Sequence, residues 1–362
     1  MSRRNPNMQF GIAIPTASDS WRLVRRAEEL GFSHAWFFDT QMLSADPFVA
    51  MAAAAMKTTR IKLGTGVLIS SNRIAPVAAN AFASLNKLAP GRIVFGVSTG
   101  FTGRRTMGLG AVKLADMEEY IRIVQALWRG ETVEMELEGQ RRPIRLLNPE
   151  LGLINIDDLI PLYIAASGTR SRNLTAKLGA AWIDNVADVE RGVATLEQMR
   201  SAWQGAGRAR EDLQAVAWIG GAVLEEGEPV DGPRGMALAG PRAAMLLHRA
   251  ADTALGGHPA PLAMRPEFAA STEAYLAHAR SFDPSSYYLS NHRGHLMFVR
   301  PDERPFITAE MIRHTSFIGT APVLTQRIGA LGEAGFTQVV FSIPPGQEHA
   351  IEDWGRIRRA FR

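Results

Sequence analysis

A (β/α)8 barrel, the TIM-barrel architecture of the α/β class, is what this 362-residue sequence predicts. Three observations point there. Over the first two hundred residues, short β-prone runs alternate with segments of helical period, each βα pair taking about 30 residues. The whole chain offers eight strand candidates, most of them followed by a helix. Right-handed parallel crossovers then make a closed barrel the economical arrangement. An open doubly wound sheet is the alternative, weakened because no G-x-G-x-x-G turn follows the first strand.

The elements justify themselves in order. Residues 8–15 (MQFGIAIP) form a short β-prone run. In 20–30, Trp21, Val24, Ala27 and Leu30 recur on one helical face that Gly31 closes as a C-cap. There follow strand 34–39, helix 47–57, strand 61–68, helix 75–88, strand 92–100 and helix 113–128. After Gly130 the rhythm breaks: 132–147 reads as a polar β-hairpin and 152–159 as extended, so about 131–159 is an insertion after strand four. Strand 161–166, helix 172–178, strand 181–186, helix 190–206 and strand 215–223 resume it.

A glycine- and proline-rich loop at 227–240 leads to helix 241–255. Residues 256–315 fit no βα unit and form the second insertion, after strand seven, with a short helix at 271–279 and the run SYYLSNHRGH at 286–295. Helix 321–334, strand 337–343 and a terminal helix around 351–359 close a single domain over 1–362.

Composition narrows the function. The longest apolar run, 48–56, is rich in alanine and far below the roughly 20 residues of a membrane span, so no membrane partner is expected. Residues 1–7 are polar and lack the apolar stretch of an export signal, which makes the cytoplasm the expected location. The absence of cysteine excludes disulfides, thiolate metal sites and a cysteine nucleophile. With 40 Lys and Arg against 36 Asp and Glu, scattered rather than striped, nucleic acid is not an expected partner. Neither a G-x-S-x-G nucleophile turn nor a P-loop is present.

In such barrels the strand ends form the active face. Strand two ends in Asp39, Thr40 and Gln41, the acid following the apolar Trp36, Phe37 and Phe38, so Asp39 is a cofactor anchor, a buried acceptor or a helix cap. Strand three carries GTGVLISSNR, where Gly64 and Gly66 signal a bulge or the close approach of a flat ligand. Strand four ends in STGFTGRR, a flexible donor-rich loop able to hold an anion or cover a ring. Strand five ends in AASGTRSR, where backbone N–H groups at a helix start, two hydroxyls and Arg170 make a phosphate cradle. His292 and His295 are acid/base, pocket or structural residues. Their i, i+3 spacing resembles a metal pair, but the sequence shows no third ligand, so no metal is expected.

Taken together, RRAEELGFSHAWFFD, IKLGTGVL, APGRIVFGVSTG, YIRIVQALWRG, PLYIAASGTRSRNLTAKLGAAWID and IGALGEAGFTQVVF, in this order and spacing, resemble the luciferase-like flavin-dependent oxidoreductases. The resemblance implies a non-prolyl cis peptide at Gly66–Val67, backing an isoalloxazine or deazaflavin ring. It implies Asp39 beside the ring, Ser70 and then Thr99 and Gly100 lining the cofactor channel, and Ser167, Gly168, Thr169 and Arg170 near its phosphate. It also places 287–295 over the substrate pocket.

The chain departs from many of these relatives, which have histidine directly after the strand-two acid; here Thr40 and Gln41 stand instead. Phe101 replaces the acid of the sugar-phosphate dehydrogenase branch. The leading expectation is a two-component monooxygenase, in which reduced FMN from a separate flavin reductase and O2 oxygenate a small organic substrate. Thr40, Gln41, His292 and His295 are its candidate catalytic residues. Hydride transfer with the deazaflavin coenzyme F420 is the alternative, and a non-catalytic flavin-binding protein stands as the reading of another class. The resemblance also implies a homodimer through early helices, for which the alanine-rich 49–55 stretch suits close packing.

Overall fold

The computed structural model describes residues 8–259 and 265–361. The polar start at 1–7, part of the second insertion at 260–264 and Arg362 lie outside the described residues.

Eight parallel strands close into a barrel: β1 (Gln9–Ile14), β2 (His34–Phe37), β3 (Lys62–Thr65), β4 (Ile93–Ser98), β5 (Leu162–Ala165), β6 (Ala181–Asn185), β7 (Ala215–Ile219) and β8 (Gln338–Ser342). Sheet order runs β3, β2, β1, β8, β7, β6, β5, β4, and closure comes from Leu63 opposite Ile93 and Gly64 opposite Val94. Just past β3 the chain kinks at a cis Gly66–Val67 peptide, and Leu68–Ile69 then pairs with Val97 and Ser98 of β4. The bulge that the glycines of strand three predicted is therefore present.

Period-two alternation along the strands sorts side chains into two cores. Trp36, Val94, Tyr163, Ile183, Val216, Trp218 and Val340 fill the barrel interior. Phe10, Ile12, Phe37, Leu63, Phe95, Trp182 and Phe341 point outward into the larger core under the helices. Helix Trp21–Leu30 shows how the second core is made, burying Val24, Ala27 and Leu30 and ending where Gly31 takes φ 83° and donates to Ala27 and Glu28 carbonyls.

The hairpin after β4 is the antiparallel pair Val133–Leu137 and Gln140–Ile144. The region after β7 differs from its sequence reading in three ways. Strand seven is not continuous to 223: after Ile219 the chain leaves the barrel, and Gly221–Leu224 pairs in parallel with Phe317–Thr320 outside it. Gly221 permits this, since a Cβ there would lie 1.7 Å from the Phe317 carbonyl oxygen.

The following helix spans Pro233–Gly256, so half of the expected 227–240 loop is helical. Pro233 sits in the first turn, where its missing N–H is harmless, and burial of Met236, Leu238 and Ala239 outweighs the poor propensity of Gly235, Gly240 and Pro241. The second insertion thus begins near 225 rather than 256. It holds helices Ala269–Ala279, Tyr287–Asn291 and Ala309–Thr315.

Candidate functional site

The ends of β2 to β5 converge as the motifs required. Phe38 and Val67 pack on the top of the barrel core beside Trp218, whose Nε1–H donates to Ser342 Oγ at 2.9 Å. Phe38 and Trp218 stack with ring centroids 6.3 Å apart. Gly66 lies directly against this pair: a Cβ there would come within 2.6 Å of Trp218 and 2.8 Å of Trp36. The result is a flat apolar floor, with Ser98 and Ala165 beside it, Ser98 Oγ donating to the Ala165 carbonyl at 3.0 Å.

Asp39 is buried, at 2% exposure, and fully engaged. Its Oδ2 accepts from the Ile69 N–H at 3.0 Å and Asn72 Nδ2 at 3.2 Å, and its Oδ1 from Arg73 Nη1 at 3.0 Å. It therefore pins the segment that follows the cis peptide, rather than offering a free oxygen. Burial pulls the Arg73 pKa down, but Asp39 and Asp46 together more than offset it and hold it above the usual value.

Thr40 Oγ1 is bonded to Ser44 Oγ at 2.7 Å. The Gln41 amide accepts from Asn72 at 2.9 Å and donates to the Gly103 carbonyl at 3.3 Å. Thr40 is thus engaged within its own turn, and Gln41 ties that turn to Asn72 and Gly103. Ser70, buried above the bulge, keeps a hydroxyl with no protein partner.

Thr99 and Gly168, Thr169, Arg170 and Ser171 face one another across a cleft of about 520 Å³, which Ala111 to Leu114 complete. Gly100 takes φ 77° and opens a short helix, Phe101–Arg105, where the sequence suggested a flexible loop. On the other wall, helix Thr169–Leu178 starts at the cleft, and Ser171 Oγ receives the Gly168 N–H at 3.2 Å. Ser167 holds the wall in place by giving its carbonyl to Arg172. The N–H groups of a helix start, with Lys113 and Arg170 in the lining, give this cleft the donors and positive charge that suit an anion, a candidate anion cradle. A larger cleft of about 620 Å³ lies between residues 14–26 and 343–352 and contains none of the candidate site residues.

Helix Pro233–Gly256 brings two arginines seven positions apart onto one face. Arg242 Nη2 donates to Asn185 Oδ1 at 2.8 Å and its chain covers Gly220, both at strand ends. Burial, then the neighbouring Arg249, lowers its pKa to about 10. The guanidiniums of Arg249 and Arg105 each lie 5.1 Å from the centre of the Phe101 ring. Sequence reading missed Asn185, Arg242 and Arg249; the seven-residue arginine spacing was the signal available.

His292 and His295 are not at an open pocket. They are buried at 2% and 1% exposure inside the second insertion, beside His248 of the long helix. Tyr288 of the same run packs on Gly108, so the 287–295 segment leans on the loop after β4 rather than spanning the floor. Burial holds the His248 and His295 pKa values below the usual imidazole range.

The residues at the mouth fit a flavin or deazaflavin: an apolar floor for the ring, an unpartnered Ser70 hydroxyl at its edge, and a cationic cleft for the anionic tail. The comparisons agree. The sequence profile of the luciferase-like monooxygenase family matches residues 4–228. A 5,10-methylenetetrahydromethanopterin reductase of Archaeoglobus fulgidus is 26% identical over 349 residues, 94% of this chain and 95% of that protein. An F420-dependent glucose-6-phosphate dehydrogenase of Beutenbergia cavernae is 37% identical over 140 residues, 37% of this chain and 40% of that protein. The coenzyme F420-dependent tetrahydromethanopterin reductase of Methanopyrus kandleri superposes with a TM-score of 0.70 at 19% identity, covering 98% of this chain and 100% of that one. Among the described residues no helix is long and apolar enough to cross a membrane.

Proposed function

The chain belongs to the luciferase-like monooxygenase family, and from that membership we propose that it is an oxidoreductase transferring hydride between coenzyme F420 and a small organic substrate. This reverses the order reached from sequence, where reduced FMN and O2 came first. Two of the relatives above are named for F420 dependence, which favours the deazaflavin. The observation that carries the reading is the cleft at the ends of β4 and β5, between Thr99, Ala111 to Leu114 and Gly168 to Ser171, with Lys113 and Arg170 in its lining. FMN ends in one phosphate; the deazaflavin continues past its phosphodiester into a longer anionic tail, which an open cationic cleft suits.

The bound deazaflavin supplies the carbon that gives or takes the hydride. Phe38, Val67 and Trp218 support the ring and keep water from one face. Asp39 fixes the 69–73 segment so that the bulge keeps its place under the ring. Because Thr40 and Gln41 already have hydrogen-bond partners, the cation assigned to polarise a substrate oxygen is Arg242, held by Asn185 at the end of β6. The homodimer remains part of the reading, supported by Met42, Val49, Met56, Ile74 and Val77, all more than half exposed on and beside helices Pro47–Ala55 and Ala75–Leu88.

Fluorescence titration of the purified protein with F420 and with FMN tests the proposal. F420 is expected to bind at least about tenfold more tightly, a difference of about 1.4 kcal/mol. Tight binding of reduced FMN accompanied by O2 uptake, with F420 ignored, would restore the monooxygenase reading.

A further inference from the structure

The second insertion contains a group of side chains that hydride transfer does not use. His248, near the end of the long helix, meets His292 and His295 from the run at 286–295, and one ring nitrogen of each lies within 4.8 Å of the others. The contacts specify which nitrogen. His248 Nε2 is 2.9 Å from Glu303 Oε2, and His292 Nε2 is 2.9 Å from Asp252 Oδ1.

A carboxylate only accepts, so each Nε2 carries the proton and each Nδ1 keeps its lone pair. Both lone pairs are aimed at His295, whose Nδ1 stands 2.7 Å from His248 Nδ1 and 3.4 Å from His292 Nδ1. The other nitrogen of the third ring points away from this meeting place. His295 Nε2 is buried with no partner, in a side chain 1% exposed.

We propose that His248, His292 and His295 form a three-histidine site for a divalent transition metal, Zn2+ first, bound through their Nδ1 atoms. Three neutral imidazoles without thiolate suit a borderline cation such as Zn2+. The carboxylate–histidine–metal arrangement is the usual outer support of such a site, and here it occurs twice, through Glu303 and Asp252. Glu303 is itself fixed by Arg300, whose backbone N–H and Nη2 each reach it at 2.9 Å. Asn291 donates to Asp252 Oδ1 at 3.2 Å, and Tyr275 holds Asn291 in turn at 2.9 Å.

Metal–nitrogen bonds of about 2.0–2.1 Å in tetrahedral geometry space ligand nitrogens by about 3.3 Å. The 3.4 Å pair already meets that, the 2.7 Å pair opens by about half an ångström on binding, and the His248–His292 pair, within 4.8 Å, adjusts to the same spacing. A fourth position is left for water or a ligand from solvent. The competing arrangement is a metal-free hydrogen-bonded trio, in which a single Nδ1 proton on His295 serves both neighbours.

Untagged protein, purified without chelators, is analysed for metal by mass spectrometry. Apo-protein is then titrated with Co2+ as a spectroscopic probe and with Zn2+ by calorimetry. The site predicts one equivalent of metal per chain and the visible absorption of four-coordinate Co2+, displaced by Zn2+. His295→Ala and His292→Gln, confirmed as folded by circular dichroism, lose both signals. Asp252→Asn keeps the ligands and weakens binding by about 10–100-fold. His278→Ala, whose ring pairs with Asp302 outside the trio, leaves binding unchanged. Absence of retained metal together with no Co2+ band and no Zn2+ heat, or equal binding by the folded His295 variant, overturns the site in favour of the hydrogen-bonded trio. None of these readouts depends on F420, so the site stands or falls apart from the proposed hydride transfer.

Discussion

At the barrel mouth, polar groups come from the ends of successive strands and stay within reach of water, whereas in the excursion after β7 they come from one helix and one loop and are sealed from it. Two carboxylates make the contrast concrete. Asp39 is buried, but its partner Arg73 is 18% exposed and keeps Asp46 as a second partner. Glu303 is wholly buried, and its partners Arg300 and His248 are almost so. The lesson is that the mouth is built to be opened and filled, while the excursion is built to be closed.

The largest expected effect tests the closed region. Glu303→Ala leaves the His248 N–H without its acceptor in a dry core and Arg300 with Asp302 as its remaining acid, and should cost about 3 kcal/mol in urea unfolding. Asp39→Ala, by contrast, leaves Arg73 its second acid and access to water, so about 1–3 kcal/mol is expected, together with loss of cofactor binding. Equal costs at the two positions would erase the distinction.

Acid sharpens the comparison from beneath the mouth. Burial, and secondarily Lys62, lowers the pKa of His34 to about 3, under Trp36. A depressed folded-state value means that this stability is present above about pH 6.5, where both states are neutral, and is lost as pH falls toward 3, because only the unfolded chain takes the proton. Between pH 6.5 and 5 the loss is about 2 kcal/mol. His34→Gln should flatten the unfolding free energy over that interval, and an unchanged slope would assign acid sensitivity to other imidazoles.

The smallest effect belongs to the open rim. Arg170→Ala should leave unfolding unchanged and weaken cofactor binding by about two- to fivefold, a loss that fades as salt rises. A salt-independent loss would mean that Arg170 acts by shaping the wall instead of by charge.

The same contrast explains what the sequence revealed. Barrel order was legible from local period, while the kink at Gly66–Val67 and the roles of Thr99 and Gly168–Arg170 were legible through the family resemblance, since each lies in a motif at a strand end. The excursion was not. Its long helix runs through Gly235, Gly240 and Pro241, which argue against a helix until tertiary burial is known. His248 meets His295 across 47 positions, and no local pattern announces a pairing at that range. The i, i+4 spacing of His248 and Asp252 was the one local hint, since it sets both on the face that receives His292. Placing His292 and His295 at the substrate came from the family resemblance and their chemistry, without knowledge of which surface they would occupy.

The parallel ribbon joining Gly221–Leu224 to Phe317–Thr320 has an evolutionary consequence. It ties the departure and return of some ninety residues into one neck, so the stretch between can be lengthened, shortened or exchanged for another sequence while the eight staves below keep their register. New chemical tastes can thus be acquired by grafting at that neck, and a chimera carrying a relative's excursion on this barrel is the natural object on which to watch it happen.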